Sequence, residues 1–152
     1  MRNGASHQDH FELPAKAEPT ALAFRRNATV SCPRPRRVLI VEDNRDGAES
    51  LRILLELRGH DVRVAYTGTD GVKVAHTWKP EVVVCDIGLP GLDGYGVARE
   101  IRHDQSTAGV RLIALTGYGQ QEDRCRSREA GFDEHLIKPA EPETLQDLIE
   151  RP

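Results

Sequence analysis

Residues 82–94 read VVVCDIGLPGLDG, a stretch that joins an apolar run to a glycine-rich turn through one aspartate. Residues 82–85 form an uninterrupted apolar run, which is typical of a parallel strand covered on both faces. Cys85 is expected to be buried there as a small apolar residue. The run ends at Asp86, and residues 88–94 are rich in residues that favour turns. The stretch therefore predicts a buried strand with a carboxylate at its carboxyl end.

The same alternation of apolar runs and amphipathic stretches continues on both sides of this segment. Further strands are predicted at 38–41, 62–66, 112–115 and 135–137. The stretches between them have helical spacing and end at residues that stop helices, such as Gly59, Pro80 and Gly131. Helices are predicted at 48–58, 70–78, 97–101, 120–130 and 145–149. Five β-α repeats predict an α/β fold, with a five-stranded parallel sheet, right-handed crossovers and helices on both faces.

The 152-residue chain divides near residue 36 in both composition and charge. Residues 1–36 lack a periodic apolar pattern and are predicted to be a disordered or linker extension, whereas residues 37–150 are predicted to form one domain. The first 36 residues hold six Lys/Arg against three Asp/Glu, and the remainder holds fifteen against twenty-one. An acidic domain gives no electrostatic reason for direct nucleic-acid binding.

The cysteines and the apolar segments indicate the compartment. Cys32, Cys85 and Cys125 lack the spacing of metal ligands, so a reduced, cytoplasmic protein is the simplest interpretation. No segment approaches the ~20 apolar residues of a membrane span. The N-terminus also lacks the apolar core of a secretory signal. We expect a cytoplasmic protein without membrane contacts.

Chemically active side chains follow four of the predicted strands at the points where these strands end. They are Glu42, Asp43, Asp86, Thr116 and Lys138. Open parallel sheets bind ligands outside the carboxyl ends of their strands, where the strand order reverses. We therefore expect these five residues to share one crevice.

The combination of residue types points to phosphoryl transfer. Three carboxylates in a small space repel each other unless a cation neutralises them, and Mg²⁺ suits such oxygen ligands. Lys138 would neutralise the charge of a transferring phosphoryl group, and Thr116 would donate a hydrogen bond to one of its oxygens. Asp86 is the candidate nucleophile and would form an aspartyl phosphate.

Four separated motifs resemble the receiver domains of two-component response regulators. They are EDN at 42–44, DIGLPGLDG at 86–94, LTG at 115–117 and KP at 138–139. The resemblance covers about residues 36–150 and implies the flavodoxin-like receiver fold, with strand order 2-1-3-4-5. It also implies that Mg²⁺ is held by Glu42, Asp43, Asp86 and the backbone carbonyl of Gly88.

The resemblance implies a signalling phosphoprotein of a phosphorelay, with weak autophosphatase activity, rather than an enzyme. Asp86 would accept its phosphoryl group from a phosphohistidine of a histidine kinase or a phosphotransfer protein. The motifs are more similar to receivers that are free-standing or belong to hybrid kinases than to those fused to DNA-binding domains. Because the sequence ends at Pro152, we also expect no output domain. We expect output through protein binding at the fourth helix, fifth strand and last helix. The sequence does not identify the downstream target, and it leaves open whether the protein forms a homodimer.

Three further positions are candidates for switching or tuning. His135 stands three residues before Lys138, where many family members carry an aromatic residue that turns inward when Thr116 engages the phosphoryl group. An imidazole there is either a pH-sensitive switch or a surface histidine on an edge strand, and both readings stay open. Tyr118 and Gly88 are hypothesised to control the access of water to the acyl phosphate.

Alternative interpretations remain for the single residues and for the whole chain. Each strand-end residue alone would serve as an ordinary turn or surface residue, and Asp93 is expected to be only a helix cap. A phosphatase that uses an aspartyl phosphate is a rival, but residues 42–44 lack its Asp-x-Asp pattern. A binding-only pseudo-receiver is disfavoured by the intact strand-end residues, and a flavin-binding protein by the missing phosphate loop after the first strand.

Overall fold

The computed structural model describes residues 34–117 and 121–152, except for the side chains of Gln121 and Glu122. Strands and helices alternate throughout this part of the chain. The strands are β1 (Arg37–Val41), β2 (Asp61–Ala65), β3 (Val82–Asp86), β4 (Arg111–Thr116) and β5 (Glu134–Ile137). The helices are α1 (Arg45–Leu57), α2 (Gly68–Trp78), α3 (Gly94–His103), α4 (Gln121–Ala130) and α5 (Pro142–Glu150).

The five strands form one parallel sheet in the order β2-β1-β3-β4-β5, so the predicted fold class is confirmed. The chain reverses its direction of winding between β1 and β3, which are neighbours in the sheet. Near the carboxyl ends of the strands, Asp86 pairs with Leu115 and Thr116 pairs with Ile137. The register therefore brings the ends of β3, β4 and β5 to the same edge of the sheet.

Alternate residues along each strand enter two separate apolar cores, one on each face of the sheet. On one face, Val38, Ile40, Val82 and Val84 pack with residues of α1 and α5. On the opposite face, residues such as Leu39, Val41 and Val83 pack with residues of α2, α3 and α4. Burial on both faces explains why β1, β3 and β4 read as uninterrupted apolar runs.

The prediction for the second helix was wrong at its start, because α2 begins at Gly68 rather than Asp70. The Thr67 hydroxyl accepts a hydrogen bond from the backbone N–H of Asp70 at 3.1 Å and caps the helix. Gly68 and Thr69 are weak helix formers, so their composition favoured a turn.

The described helices also bear on membrane association. Within residues 34–117 and 121–152, no helix combines the length and the apolar content of a transmembrane span.

Candidate functional site

The acidic residues that follow β1 and end β3 lie together at the carboxyl edge of the sheet. Carboxylate oxygens of Glu42, Asp43 and Asp86 all lie within 4.8 Å of one another. Glu42 and Asp86 are buried, with 4% and 8% of their surface exposed, whereas Asp43 is exposed. β1 and β3 are neighbours in the sheet, and this adjacency places the three side chains in one cluster.

Lys138 brings a positive charge into this acidic cluster. Its Nζ lies 2.6 Å from Oε2 of Glu42 and 3.4 Å from Oδ1 of Asp86. The backbone N–H of Lys138 donates a hydrogen bond to the carbonyl of Thr116 at 2.7 Å, which continues the pairing of β4 and β5. The strand pairing thus fixes the point from which the lysine reaches both carboxylates.

The electrostatics of the cluster follow from burial and from an excess of negative charge. Burial raises the pKa of Glu42, and repulsion by Asp86 acts in the same direction, against hydrogen bonds from Lys138 and from the N–H of Asn44. Burial alone would lower the pKa of Lys138, but its hydrogen bond to Glu42 and the charge of Asp86 outweigh this and raise it. Lys138 is therefore held in its charged form between two carboxylates.

Backbone contacts hold the segment that follows Asp86. The N–H of Gly88 donates to Oδ1 of Asp86 at 3.2 Å, and the N–H of Ile87 donates to the carbonyl of Leu115 at 3.0 Å. Oδ1 of Asp93 accepts from the N–H of Gly96 at 2.8 Å, so the prediction that Asp93 caps α3 is confirmed. These bonds anchor both ends of the turn beside the acidic cluster.

Cys85 directly precedes Asp86 and is 1% exposed, as predicted from its apolar surroundings. Burial raises the pKa of its thiol well above the ordinary range, and the charge of Asp86 adds to this effect. Cys85 is therefore held as a neutral thiol and serves as a packing residue.

The donor set fits a hard divalent cation. All the donor atoms are carboxylate oxygens, and Lys138 supplies one positive charge against the three negative charges of Glu42, Asp43 and Asp86. Mg²⁺ binds oxygen ligands of this kind and usually retains several water molecules. The exposure of Asp43 leaves one side of the cluster accessible to such waters.

Of the four remaining predicted residues, three lie in the described part of the chain. Thr116 is buried at the end of β4, and Gly88 is exposed in the turn after β3. Tyr118 lies outside the described residues. His135 is partly buried in β5, two positions before Ile137, the exposed, apolar end of that strand.

His135 makes a contact that the sequence did not reveal. The Ser127 hydroxyl donates to the carbonyl of Asp123 at 2.8 Å, so at 3.2 Å it accepts a hydrogen bond from Nδ1–H of His135. Burial lowers the pKa of His135, and the charge of Arg124 adds to this effect against that of Asp123. The neutral imidazole is thus hydrogen-bonded to Ser127 of α4.

Sequence reasoning also missed the role of Asn44. Its Oδ1 accepts from the N–H of Gly47 at 3.0 Å and caps α1, while its own N–H donates to Oε1 of Glu42 at 3.1 Å. An asparagine directly before an amphipathic stretch is a recognised start signal for a helix and would have identified the cap. The contact between Ser127 and His135 has no such local signal.

Residues 38–150 of this chain match the sequence-family model of the response regulator receiver domain. The chain belongs to the response regulator receiver family. Its resemblance to receivers is thereby confirmed, and the protein contains the receiver domain of a two-component system, which is a signalling domain.

Two named relatives differ in how much of their own length the alignment with this chain covers. It is 38% identical over 113 residues to PilH of Pseudomonas aeruginosa, an alignment that covers 74% of this chain and 93% of PilH. It is 33% identical over 109 residues to the DNA-binding dual master transcriptional regulator RpaA of Synechocystis, covering 72% of this chain but only 45% of RpaA. The receiver therefore spans less than half of that longer relative.

A solved structure provides a comparison for the acidic cluster. The receiver domain of the sensor histidine kinase PA1611 from Pseudomonas aeruginosa is 32% identical to this chain, with a TM-score of 0.72 and coverage of 78% of this chain and 97% of that one. That protein was solved with a magnesium ion coordinated in its active site cleft.

Proposed function

We propose that this receiver accepts a phosphoryl group on Asp86 from a phosphohistidine of a histidine kinase or a phosphotransfer protein. The transfer depends on Mg²⁺, and the phosphorylated receiver signals through protein binding. The strongest support is that carboxylate oxygens of Glu42, Asp43 and Asp86 lie within 4.8 Å of one another. In addition, Nζ of Lys138 forms ion pairs with both Glu42 and Asp86.

The cation is assigned to the three carboxylates and to the backbone carbonyl of Gly88. When bound, Mg²⁺ neutralises negative charge on the phosphoryl oxygens. A carboxylate oxygen of Asp86 attacks the phosphorus atom, the P–O bond forms, and the P–N bond to the donor imidazole breaks as its electron pair returns to the ring. Lys138 stabilises the charge that remains on the transferred group.

Phosphorylation adds charge beside the end of β4, because Asp86 pairs in the sheet with Leu115, the residue before Thr116. The added group carries about −1.5 to −2 charges, by analogy with other phosphorylated side chains. Thr116 donates a hydrogen bond to one of its oxygens, which shifts an existing equilibrium between two shapes of the surface. Hydrolysis of the acyl phosphate resets the receiver, with Gly88 leaving room for water and Tyr118 restricting it.

The surface that transmits this change is assigned to α4, β5 and α5. Arg124 and Arg128 are exposed on α4, and Ile137 at the end of β5 is 44% exposed. His135 of β5 is hydrogen-bonded to Ser127 of α4. A displacement of β5 is therefore expected to reach α4 directly.

Intact-mass measurement after exposure to acetyl phosphate tests the proposal. The wild type is expected to gain the mass of one phosphoryl group in Mg²⁺ and none in EDTA, and Asp86→Asn is expected to gain none in either buffer. Equal gains for the wild type and for Asp86→Asn would overturn the assignment of Asp86. No gain for the wild type would favour a binding-only receiver.

A further inference from the structure

Gly68, the first residue of α2, packs against the backbone of a distant loop. A Cβ atom placed on Gly68 would lie 2.2 Å from the carbonyl oxygen of Leu92 and 3.0 Å from Cγ2 of Val97. Gly68 is buried. Closely packed interiors do not accommodate such overlaps, so any side chain at residue 68 must displace the backbone at Leu92.

The displaced loop is the one that follows Asp86. It runs from Ile87 to Asp93, between β3 and α3, and it contains Gly88. The N–H of Gly88 donates to Oδ1 of Asp86, and three side chains of the loop pack in the apolar core, those of Ile87, Leu89 and Leu92. The loop is therefore coupled both to the core and to the carboxylate.

The far end of this loop is also closely packed against backbone. The N–H of Gly94 donates to the carbonyl of Ile87 at 3.0 Å. A Cβ atom on Gly94 would lie only 2.5 Å from the carbonyl oxygen of Asp86 and 2.6 Å from Cα of Ile87. The backbone of the loop is therefore in close contact with Gly68 at Leu92, and the backbone at Asp86 and Ile87 is in close contact with Gly94.

We infer that Gly68 is a positioning residue that controls the affinity of the acidic cluster for its cation. The lack of a side chain lets the start of α2 lie against Leu92, and this contact fixes the loop that holds Gly88 beside Asp86. The inference rests on the proposed function, which assigns the carbonyl of Gly88 to the cation. Gly68 itself touches neither the carboxylates nor the transferred group.

The chain offers a matched control on the same loop. A Cβ atom on Gly96 would lie 2.5 Å from Cδ1 of Leu92, the far end of a flexible side chain, rather than from its backbone. Gly96→Ala therefore perturbs Leu92 by a rotation of its side chain, whereas Gly68→Ala pushes on its carbonyl.

The test compares Mg²⁺ binding by calorimetry with the Mg²⁺ dependence of phosphorylation by acetyl phosphate. Outer residues that orient metal ligands commonly change metal affinity by roughly 10- to 100-fold. Gly68→Ala is expected to bind Mg²⁺ at least roughly tenfold more weakly, while its rate at saturating Mg²⁺ approaches that of the wild type. Gly96→Ala is expected to match the wild type in both measurements. The ¹⁵N–¹H signal of Gly88 should shift in Gly68→Ala and not in Gly96→Ala.

The outcomes separate this inference from the proposed function. A wild type that binds no Mg²⁺ would overturn the proposed function itself. A wild type that binds Mg²⁺ while Gly68→Ala binds it equally well would overturn only the positioning role. A Gly68→Ala protein that fails to fold, or that loses rate at saturating Mg²⁺ without a change in affinity, would also count against it, because packing alone then explains Gly68.

Discussion

Lys138 and Glu42 are 96 residues apart in the chain, yet Nζ and Oε2 of these residues meet at 2.6 Å. The same Nζ lies 3.4 Å from Asp86, so the lysine is shared between two buried carboxylates and lies closer to Glu42. This arrangement keeps a positive charge beside Asp86 before any phosphoryl group arrives. A preorganised charge stabilises a transition state without the cost of reorganisation at the moment of reaction.

Replacement of Lys138 is therefore expected to slow phosphorylation more than it reduces Mg²⁺ binding. A charge-assisted hydrogen bond is worth roughly 1.5–3 kcal/mol, which predicts a roughly 10- to 100-fold lower rate for Lys138→Met. The rate is measured by intact mass during exposure to acetyl phosphate at saturating Mg²⁺. Lys73→Met, which removes an exposed lysine of α2, is the control. Equal rates for Lys138→Met and the wild type would remove Lys138 from the mechanism.

Asp43→Asn is expected to be more stable than the wild type without Mg²⁺ and less stable than the wild type with it. Without the cation, Asp43→Asn relieves repulsion at a partly solvated site and raises the free energy of unfolding by roughly 0.2–1 kcal/mol. With Mg²⁺ at about 100 times its dissociation constant, the wild type gains about 2.7 kcal/mol by mass action and the variant gains much less.

Urea unfolding in EDTA and in Mg²⁺ measures both effects on Asp43→Asn. Asp61→Asn, which removes an exposed carboxylate on β2, is the control and should be stabilised by Mg²⁺ as much as the wild type. An Asp43→Asn protein that Mg²⁺ stabilises as much as the wild type would show that Asp43 does not bind the cation.

His135 predicts a pH dependence of stability whose sign follows from its surroundings. Burial lowers the pKa of His135, and the nearby charge of Arg124 does so too, against Asp123, from an ordinary value of 6.5. Between that lower pKa and 6.5 the unfolded chain binds more protons at this residue than the folded protein does. The stability contributed by His135 is thus fully present above pH 6.5 and is lost as the pH falls through its folded pKa.

Urea unfolding at a series of pH values tests the role of His135. His135→Gln is expected to lose stability less steeply than the wild type as the pH falls below 6.5, while His103→Gln, an exposed change on α3, keeps the slope of the wild type. Identical slopes for the wild type and His135→Gln would contradict the burial of a neutral imidazole against Ser127.

A side chain at residue 94 is expected to destabilise the fold, because its Cβ would lie 2.5 Å from the carbonyl oxygen of Asp86. Overpacking of this kind costs typically ~1–3 kcal/mol, which is the loss of unfolding free energy expected for Gly94→Ala. Gly109→Ala is the matched control, since a Cβ there meets nothing within 4 Å. Chemical denaturation compares the two variants, and equal stabilities would show that the turn after β3 is more adaptable than its contacts indicate.

The fold was predictable because its buried strands leave a continuous apolar pattern. Runs such as 38–41 and 82–85 match the cores of β1 and β3, and Gly59 and Gly131, predicted to stop helices, adopt φ angles of 93° and 113°. The start of α2 was not predicted, because Gly68 and Thr69 have little helix propensity and the capping hydroxyl of Thr67 gives only a weak local signal.

The composition of the candidate site was also predictable, but its detailed contacts were not. Parallel strands end at a common edge, so the residues after β1, β3 and β5 were expected to converge. The preference of Lys138 for Glu42 depends on side-chain packing between residues 96 positions apart. The contacts of Ser127 with His135 and of Gly68 with Leu92 likewise join different elements and leave no periodic pattern in the sequence.

The most direct measurement is the location of the modified residue after phosphorylation. Exposure to acetyl phosphate in Mg²⁺, reduction of the acyl phosphate with borohydride and peptide mass spectrometry would identify the acceptor, because reduction converts a phosphorylated aspartate into homoserine. We predict homoserine at residue 86, at no other carboxylate, and only when Mg²⁺ is present. Reduction at another carboxylate with Asp86 unchanged, seen as homoserine at Asp43 or 5-hydroxynorvaline at Glu42, would contradict the assignment of Asp86. Modification of Asp86 in EDTA would contradict a Mg²⁺-dependent aspartyl phosphate at this site.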